Sequence, residues 1–286
     1  MDTILVTGAS GRVGGAVAAA LAEQGMNVRA ATRDTKKIKP EQRVQPVAFD
    51  YENQGLYQAA LKGVTGLFLV APPLDPDSPA KLIPFIDKAI DMGIGYVVFN
   101  SVLKADSVER NPLRIIERHL LKSKIDCTIL RPNFFMENFS KGWAAPMVAG
   151  GEITAPAGDG KTSFISVEDI ATVATVCFKE KRPGEEYDLT GREALDYAEV
   201  ARIISEACGR EVSYKPISET ELMSGSREQG MPESAVQVIV SLFRMVGEGL
   251  MAEITDAVRR VTGNDPISFR EFTLKNADVW KMRKAA

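Results

Sequence analysis

The feature that most constrains this chain is its opening. Thr3-Ile4-Leu5-Val6 runs directly into Gly8-Ala9-Ser10-Gly11-Arg12-Val13-Gly14. From Arg12 to Gln24, Val13, Val17 and Leu21 recur at i, i+4 and i+8, and Gly25 follows as a stop. Apolar run, glycine turn and amphipathic stretch read as strand, tight turn and helix. Glycines in that context do three jobs. Gly8 permits a tight turn, Gly11 lets backbone N–H groups approach a ligand closely, and Gly14 lets the helix pack against the strand. The helix N-terminus then offers unpaired N–H groups to phosphate oxygens. The spacing is G-x-x-G-x-x-G, not the commoner G-x-G-x-x-G, and with the strand before and the helix after it predicts a bound dinucleotide.

The rest of the first half repeats the alternation. Strands are predicted at Asn27–Thr32, Val44–Phe49, Gly66–Val70, Tyr96–Asn100 and Cys127–Leu130, and helices at Ala80–Met92 and Leu113–Ser123. Apolar strands alternating with helices predict an α/β fold with a Rossmann-type, doubly wound parallel sheet covered on both faces. The second half is of a different kind. Gly150–Gly160 reads as a hairpin or loop, Ser166 as the cap of an apolar helix with Asp169 closing a box-like pair, Glu186–Thr190 and Val212–Pro216 as strands, and Tyr197–Cys208 as a helix. A mostly helical tail follows to Gly263. The expected organisation is a dinucleotide-binding domain over 1–150 and a mixed region over 151–286. That region returns partly to the sheet at about 164–192 and otherwise forms a smaller, mostly helical substrate-binding domain.

Ligands of open α/β sheets bind outside the carboxyl ends of the strands, so each strand end nominates residues. Ser10, Arg12 and Val13 join the glycines of the first turn. The second strand ends in Thr32-Arg33 and lacks the acidic residue that would favour a free ribose 2′-hydroxyl. The Arg33 guanidinium suits a 2′-phosphate, with Arg12 as a second cation, although Asp34 is placed to pair with Arg33. The cofactor is therefore expected to be NADP(H) in preference to NAD(H). Asp50 and Tyr51 follow the third strand, where Asp50 can accept from an adenine amino group. Ala71 and Pro72 follow the fourth, Asn100 and Ser101 close the fifth, and Pro132, Asn133 and Phe134 follow the sixth.

A family resemblance rests on TGASGRVG, the Ala71-Pro72-Pro73 segment, ILRPNFFMENF, FISVEDIATVA, YDLTG with LDYAEVARIISEACGREVSY, and the closing SFREFTLKNADVW. Together these resemble the NmrA-like branch of the atypical short-chain dehydrogenase/reductases, over nearly the whole chain. Quinone- and dye-reductase-type and ergot-alkaloid-biosynthesis-type members are the similar ones. The resemblance implies a Rossmann domain, a smaller C-terminal region that closes over the substrate, and NAD(P)(H) binding. It does not imply one reaction, because fold does not fix function.

The Tyr-x-x-x-Lys pair of the better-known short-chain dehydrogenases is missing from the helix after the fifth strand, which reads Leu113-Arg114-Ile115-Ile116-Glu117-Arg118-His119-Leu120, with Arg118 in the sort of place where lysine is expected. Arginine cannot act as an acid near neutral pH. The substitute proton donors are Lys104, just beyond the fifth strand, and His119, the one histidine. Quinones, dyes and iminium ions accept hydride without a strong enzymatic acid, so catalysis would rest on proximity and orientation. The expected function is an NAD(P)H-dependent oxidoreductase acting on a small apolar or aromatic acceptor of that kind. The alternative is a non-catalytic NADP(H)-binding redox sensor. The substrate side is assigned to Phe135, Met136, Phe139 and Trp143, with Phe243 and the methionines of the tail beyond them. Glycines at 225, 230, 247 and 249 flank a helix over Ser234–Val246, which they would let act as a lid.

Composition narrows the partners. A net charge of −3 makes no electrostatic case for nucleic acid. No apolar run reaches the roughly 18 residues that span a bilayer, and the first residues do not resemble a secretory signal. Cys127, Cys177 and Cys208 match no zinc spacing, and their odd number argues against a disulfide framework. No metal, a reducing cytoplasmic setting and a small-molecule partner are expected, while the oligomeric state, monomer or homodimer, stays open.

Overall fold

The alternation of apolar runs and amphipathic helices is realised as a parallel sheet in the computed structural model, which describes Asp2–Trp280. In chain order the elements are β1 (Thr3–Val6), α1 (Arg12–Glu23), β2 (Asn27–Thr32), β3 (Val44–Ala48), α2 (Tyr57–Leu61), β4 (Gly66–Val70), α3 (Ser78–Asp91), β5 (Tyr96–Asn100), α4 (Pro112–Lys122) and β6 (Asp126–Pro132). There follow α5 (Ala145–Gly150), β7 (Glu152–Ala155), α6 (Val167–Glu180), β8 (Glu186–Leu189), α7 (Tyr197–Cys208) and β9 (Ser213–Pro216). The tail holds α8 (Glu219–Glu228), α9 (Glu233–Gly247), α10 (Ala257–Thr262) and α11 (Phe269–Trp280).

Two units divide the chain. The first comprises the residues up to Pro132, Val167–Leu189 and Arg260–Gly263. Its sheet has the order β3-β2-β1-β4-β5-β6-β8 with every pairing parallel. This is a Rossmann-like sheet, and the order reverses between β1 and β4, where such folds open a crevice. Side chains alternate between the two faces, as period two requires. Leu5, Leu67, Leu69, Val97, Phe99 and Ile129 face one way and pack with Leu82, Phe85, Ile86, Ile116 and Leu120 of α3 and α4. On the other face α1 packs against α6. The approach there is close: a Cβ on Gly66 would lie 2.9 Å from Ile4 and 3.1 Å from Phe178 of α6. Each fully buried aliphatic or aromatic side chain contributes roughly 1.5–3 kcal/mol, so the two faces outweigh any local propensity.

The second unit comprises Asn133–Ser166, Thr190–Arg259 and, among the described residues, 264–280. The chain thus leaves the first unit at Pro132, where β6 ends, and not at 150. The termini of the expected ranges, Met1 and 281–286, lie outside the described residues. Of the two forms expected for the Gly-rich stretch, hairpin or loop, the hairpin does not form. Gly151 (φ +88°) ends α5 in the left-handed region, β7 follows, and β7 pairs in parallel with β9. Gly158 (φ +52°) turns the chain, while a Cβ on Gly160 would lie 2.4 Å from the Val246 carbonyl oxygen. These glycines serve turns and a close approach, so they end a strand without folding it back on itself. Ser166 precedes α6, and its hydroxyl donates to Glu137 Oε1 at 3.1 Å.

Candidate functional site

The glycine turn sits at the order reversal of the sheet. Thr7 anchors it, donating from Oγ1 to the Phe68 carbonyl at 3.2 Å and accepting the Val70 N–H at 2.8 Å. Gly8 then takes φ +61°, a left-handed conformation that costs glycine nothing. The Gly11 N–H closes the turn on the Gly8 carbonyl at 2.8 Å, and the Ala9 N–H reaches the Ala31 carbonyl of β2 at 3.1 Å. Gly14 is where the helix meets the strand. A Cβ there would lie 2.4 Å from the Gly8 carbonyl oxygen and 2.8 Å from that of Thr7. Helix α1 starts at Gly11 with no side-chain cap and no acidic residue in its first turn. Gly11 has no side chain with which to cap the helix, and no acidic residue of the first turn offsets the partial positive charge of the terminus. A glycine turn packed closely on the helix and followed by a helix N-terminus without a side-chain cap fits the pyrophosphate of a dinucleotide.

At the end of β2, Thr32 is buried and donates from Oγ1 to Ser10 Oγ at 3.1 Å. This fixes the turn against the second strand. Arg33 is exposed just beyond, and among the described residues it forms no ion pair. Its neighbour Asp34 is otherwise engaged: its Oδ1 accepts the Lys36 N–H at 3.1 Å and caps a short 3-10 turn. Among the described residues Asp34 and Arg33 do not form the pair that the sequence allowed.

The remaining strand ends differ in what they leave available. Asp50 accepts the Glu52 N–H at 3.1 Å. Tyr51, expected to face the cofactor, is built into the wall: its hydroxyl donates to the Val70 carbonyl at 2.9 Å and its ring packs on Phe49 at 4.9 Å. Burial raises the pKa of its phenol above the ordinary range, so the hydroxyl stays protonated. Ala71 and Pro72 are half-buried. Asn100, at the carboxyl end of β5, is 7% exposed, and its Oδ1 has no hydrogen-bond partner. A buried acceptor without a partner requires an explanation, and a donor on a bound ligand supplies one.

Beside Asn100 lies a cluster that the sequence reading missed. Ser101 donates to Glu117 Oε1 at 2.6 Å. Arg131 grips the same carboxylate with Nε and Nη2, both at 2.9 Å, and Arg114 adds a bond at 2.9 Å. Arg131 also bonds Glu186 and lies 3.4 Å from Asp106. The Glu117 side chain is 0% exposed and that of Arg131 4%. Burial alone would lower the Arg131 pKa, but the hydrogen bonds and charge of Glu117 outweigh it and the pKa is raised. The signal was present in α4: Glu117 falls on the face that carries Ile116 and Leu120. A charge on an apolar face needs an internal partner, and Arg131 inside an apolar strand is the matching anomaly.

Of the proton-donor candidates, Lys104 follows the carboxyl end of β5 and is half-buried with φ +62°. A non-glycine residue held there is strained, and such strain collects at functional positions. His119 is misplaced for the role. It lies in the last turn of α4, which leads back toward the amino end of β6, and its Nε2 meets Asp87 Oδ1 of α3 at 2.7 Å. This is a helix–helix contact at the opposite end of the strands from the crevice. Arg118 likewise points outward, to Glu109.

The residues after β6 separate into roles of their own. The Pro132 carbonyl accepts the Leu103 N–H at 2.9 Å. Asn133, expected to face the cofactor, is fully engaged within the second unit: Nδ2 donates to Ser163 Oγ at 2.8 Å and to the Met251 carbonyl at 2.9 Å, and Oδ1 accepts the Phe134 N–H at 2.8 Å. Phe135 is half-buried and bridges to Ile165. Met136 and Phe139, assigned to the substrate side, are instead core residues with 0% exposure. Phe139 packs edge-on against Phe164 at 5.3 Å and Phe269 at 5.5 Å, and its carbonyl accepts Trp280 Nε1 at 2.8 Å. The 3-10 turn Met136–Asn138 rolls these side chains inward. Phe134 stays half-buried and Trp143 is 39% exposed.

Cys127 and Cys177 are buried free thiols, pushed up to about 11 and about 12 by desolvation. Among the described residues no group of His, Cys, Asp and Glu is arranged to hold a metal ion, and no helix is long and apolar enough to cross a membrane.

The chain is similar to known proteins. The chain is 33% identical over 281 residues to the uncharacterized oxidoreductase YesF of Bacillus subtilis (strain 168), covering 98% of this chain and 96% of the other. It is 32% identical to an NAD(P)H azoreductase of Xenophilus azovorans, with 96% and 98% covered. Among solved structures, that of Citrobacter sp. triphenylmethane reductase complexed with NADP(H) superposes with a TM-score of 0.82 at 21% identity, covering 97% of this chain and 100% of that one. A profile of the NmrA-like family matches residues 1–266, and the chain belongs to that family.

Proposed function

We propose that this protein is an NADPH-dependent oxidoreductase that reduces a small planar, apolar or aromatic acceptor of the quinone, dye or iminium class. The observation that carries the reading is the Gly8–Gly14 cradle, closed by Gly14 and ending in the uncapped N-terminus of α1. The similarity to an NAD(P)H azoreductase over nearly the full length of both chains supports the class of acceptor. In this reading the backbone from Gly8 to Gly14, with Ser10, Arg12 and Val13, holds the pyrophosphate. Arg33 receives the 2′-phosphate, and its freedom from Asp34 supports NADP(H) over NAD(H). Asp50, Ala71 and Pro72 line the adenosine end. Asn100 presents its unpartnered oxygen to a donor on the nicotinamide side, and Ser101 is held beside it by Glu117. Bound there, reduced nicotinamide supplies the hydride. Lys104 is the proton donor of this reading, positioned by its left-handed backbone just past β5. Pro132 lines the cofactor side in this reading.

The test is direct. Dissociation constants for NADPH and NADH are measured on the wild type and on Arg33→Ala, and NADPH absorbance is followed with a panel of quinones, azo dyes and imines. Turnover on at least one acceptor, with Lys104→Met lowering kcat and leaving the NADPH Kd unchanged, is the expected result. Tight NADPH binding with no turnover on any of them would overturn the catalytic reading in favour of a cofactor-sensing protein.

A further inference from the structure

The second unit contains a buried hydroxyl with nothing to bond. Tyr197 is the first residue of α7, held by a capping box in which Asp196 accepts the Glu199 N–H at 2.7 Å and Glu199 accepts the Asp196 N–H at 3.0 Å. The side chain is 0% exposed and its hydroxyl has no hydrogen-bond partner. Its surroundings are rings: Phe139 at 6.0 Å, Phe164 at 5.7 Å, Tyr214 at 5.6 Å and Phe243 at 6.1 Å. The contrast with Tyr214 is direct, because that hydroxyl donates to the Ala155 carbonyl at 3.0 Å. A bridging water would need two or more polar partners; of the rings around Tyr197 only Tyr214 carries a polar atom, and that hydroxyl is already bonded to Ala155. Phenylalanine would fill the same space without stranding a polar atom.

The same rings lead outward. Phe243 stands between Tyr197 and the surface, in edge contact with Trp143 at 5.7 Å and tilted against Phe134 at 6.1 Å. Trp143 is 39% exposed, whereas Phe243 is 3% exposed. Phe243 rides on α9, and the chain turns through left-handed glycines on either side of that helix, at Gly230 (φ +74°) and Gly249 (φ +77°). Small residues at the ends of an element can absorb its displacement. Withdrawing one ring would therefore open an aromatic slot that begins at Trp143 and ends at a phenol with a free donor.

We infer that Tyr197 is a ligand-anchoring residue: its hydroxyl donates a hydrogen bond to the polar edge of a planar aromatic ligand, such as a quinone carbonyl, that takes the place of the Phe243 ring. Burial disfavours the phenolate, so the group is a donor throughout the working pH range. The flat faces of Trp143 and Phe134 supply offset or edge contacts to the ligand ring. This inference rests on the proposed reading for the class of ligand, and its test separates the two.

The probe is 2-methyl-1,4-naphthoquinone, titrated calorimetrically into the full-length protein saturated with NADP⁺ so that no turnover intervenes. Tyr197→Phe is expected to weaken its Kd about tenfold, the worth of one hydrogen bond, with the NADP⁺ Kd unchanged and Tm unchanged or raised. Phe243→Ala is expected to bind the quinone more tightly. An unchanged quinone Kd in Tyr197→Phe, weaker binding in Phe243→Ala, no binding by the wild type, or a Tm that falls by several degrees in Tyr197→Phe would each overturn the inference. Tyr197-dependent binding without NADPH oxidation would leave it standing and remove the redox reading. NADPH oxidation with a KM indifferent to Tyr197→Phe would do the reverse.

Discussion

Glu117 in the first unit and Tyr197 in the second are both fully buried polar side chains on the inward face of a helix, and their surroundings are opposite. Glu117 has Ser101, Arg114 and Arg131 around one carboxylate. Tyr197 has only rings. The difference follows from charge. An ionised carboxylate cannot stay buried without partners, because its desolvation costs several kcal/mol even after relaxation. A neutral hydroxyl can be left without one for about 1–3 kcal/mol. The first is therefore part of the scaffold that holds the strand ends, and the second is a vacancy for a ligand group that the fold can tolerate.

The largest break in this comparison comes from Glu117→Ala. It leaves Arg131 buried without its bidentate partner and is expected to cost about 3–5 kcal/mol, read from the midpoint of urea unfolding. Glu117→Leu with Arg131→Met should recover most of that loss, since an apolar pair of similar volume needs no partners. If the double variant is no more stable than Glu117→Ala, charge is not what made the site expensive to break. Next in size is Gly14→Val, whose side chain meets the Gly8 and Thr7 backbone at under 3 Å. Calorimetry should show NADPH affinity lowered by about 100-fold or more, with a stability loss of about 1–3 kcal/mol. Arg33→Ala should weaken NADPH by about 10- to 100-fold, as loss of a charge-assisted contact does, and leave NADH unchanged. An equal effect on both cofactors would detach Arg33 from the 2′-phosphate.

The smallest effect belongs to the surface. Hydrogen bonds from Arg227 and then Gln237 lower the Glu233 carboxylate from 4.5 to about 2. A lowered carboxylate adds stability that is present above its unfolded value and is lost as pH falls toward the folded one. Glu233→Gln should therefore lower Tm slightly at pH 7 and not at all near pH 2. The group is fully exposed, so the shift at pH 7 should be about a degree or less. A larger change would mean that α8 and α9, which this pair joins, depend on each other more than exposed ion pairs allow.

Much of the first unit was legible because its signals are local. A parallel strand buried on both faces is a short apolar run, and an amphipathic helix repeats every three to four residues. The strands from β1 to β5 stand within a residue of where periodicity places them, and the positions of Arg33 and Asn100 follow from counting to a strand end. What the sequence did not show was hydrogen-bond partners. Asn133, Tyr51 and His119 are polar residues at plausible positions, yet Ser163, the Val70 carbonyl and Asp87 had already taken them. Those partners stand 30, 19 and 32 residues away along the chain, beyond the reach of any local pattern. Met136 and Phe139 failed for a related reason, since an aromatic residue looks the same in sequence whether it lines a slot or fills a core.

The sequence alone determined the alternating sheet, the glycine turn and a threonine in place of an acidic residue at the end of β2. These are properties of neighbouring residues, and the chemistry of turns and apolar surfaces leaves them little choice. Only the tertiary structure decided which buried polar groups are satisfied. Glu117 and Arg131 find each other, Asp34 turns away from Arg33, and Asn100 and Tyr197 find nothing. Hydrogen bonding is short-ranged and directional, so whether a donor is engaged depends on atoms brought within about 3 Å by the whole fold. The turn at the start of the chain marks where a dinucleotide should bind, and the unpartnered groups mark where the structure still has bonds to offer.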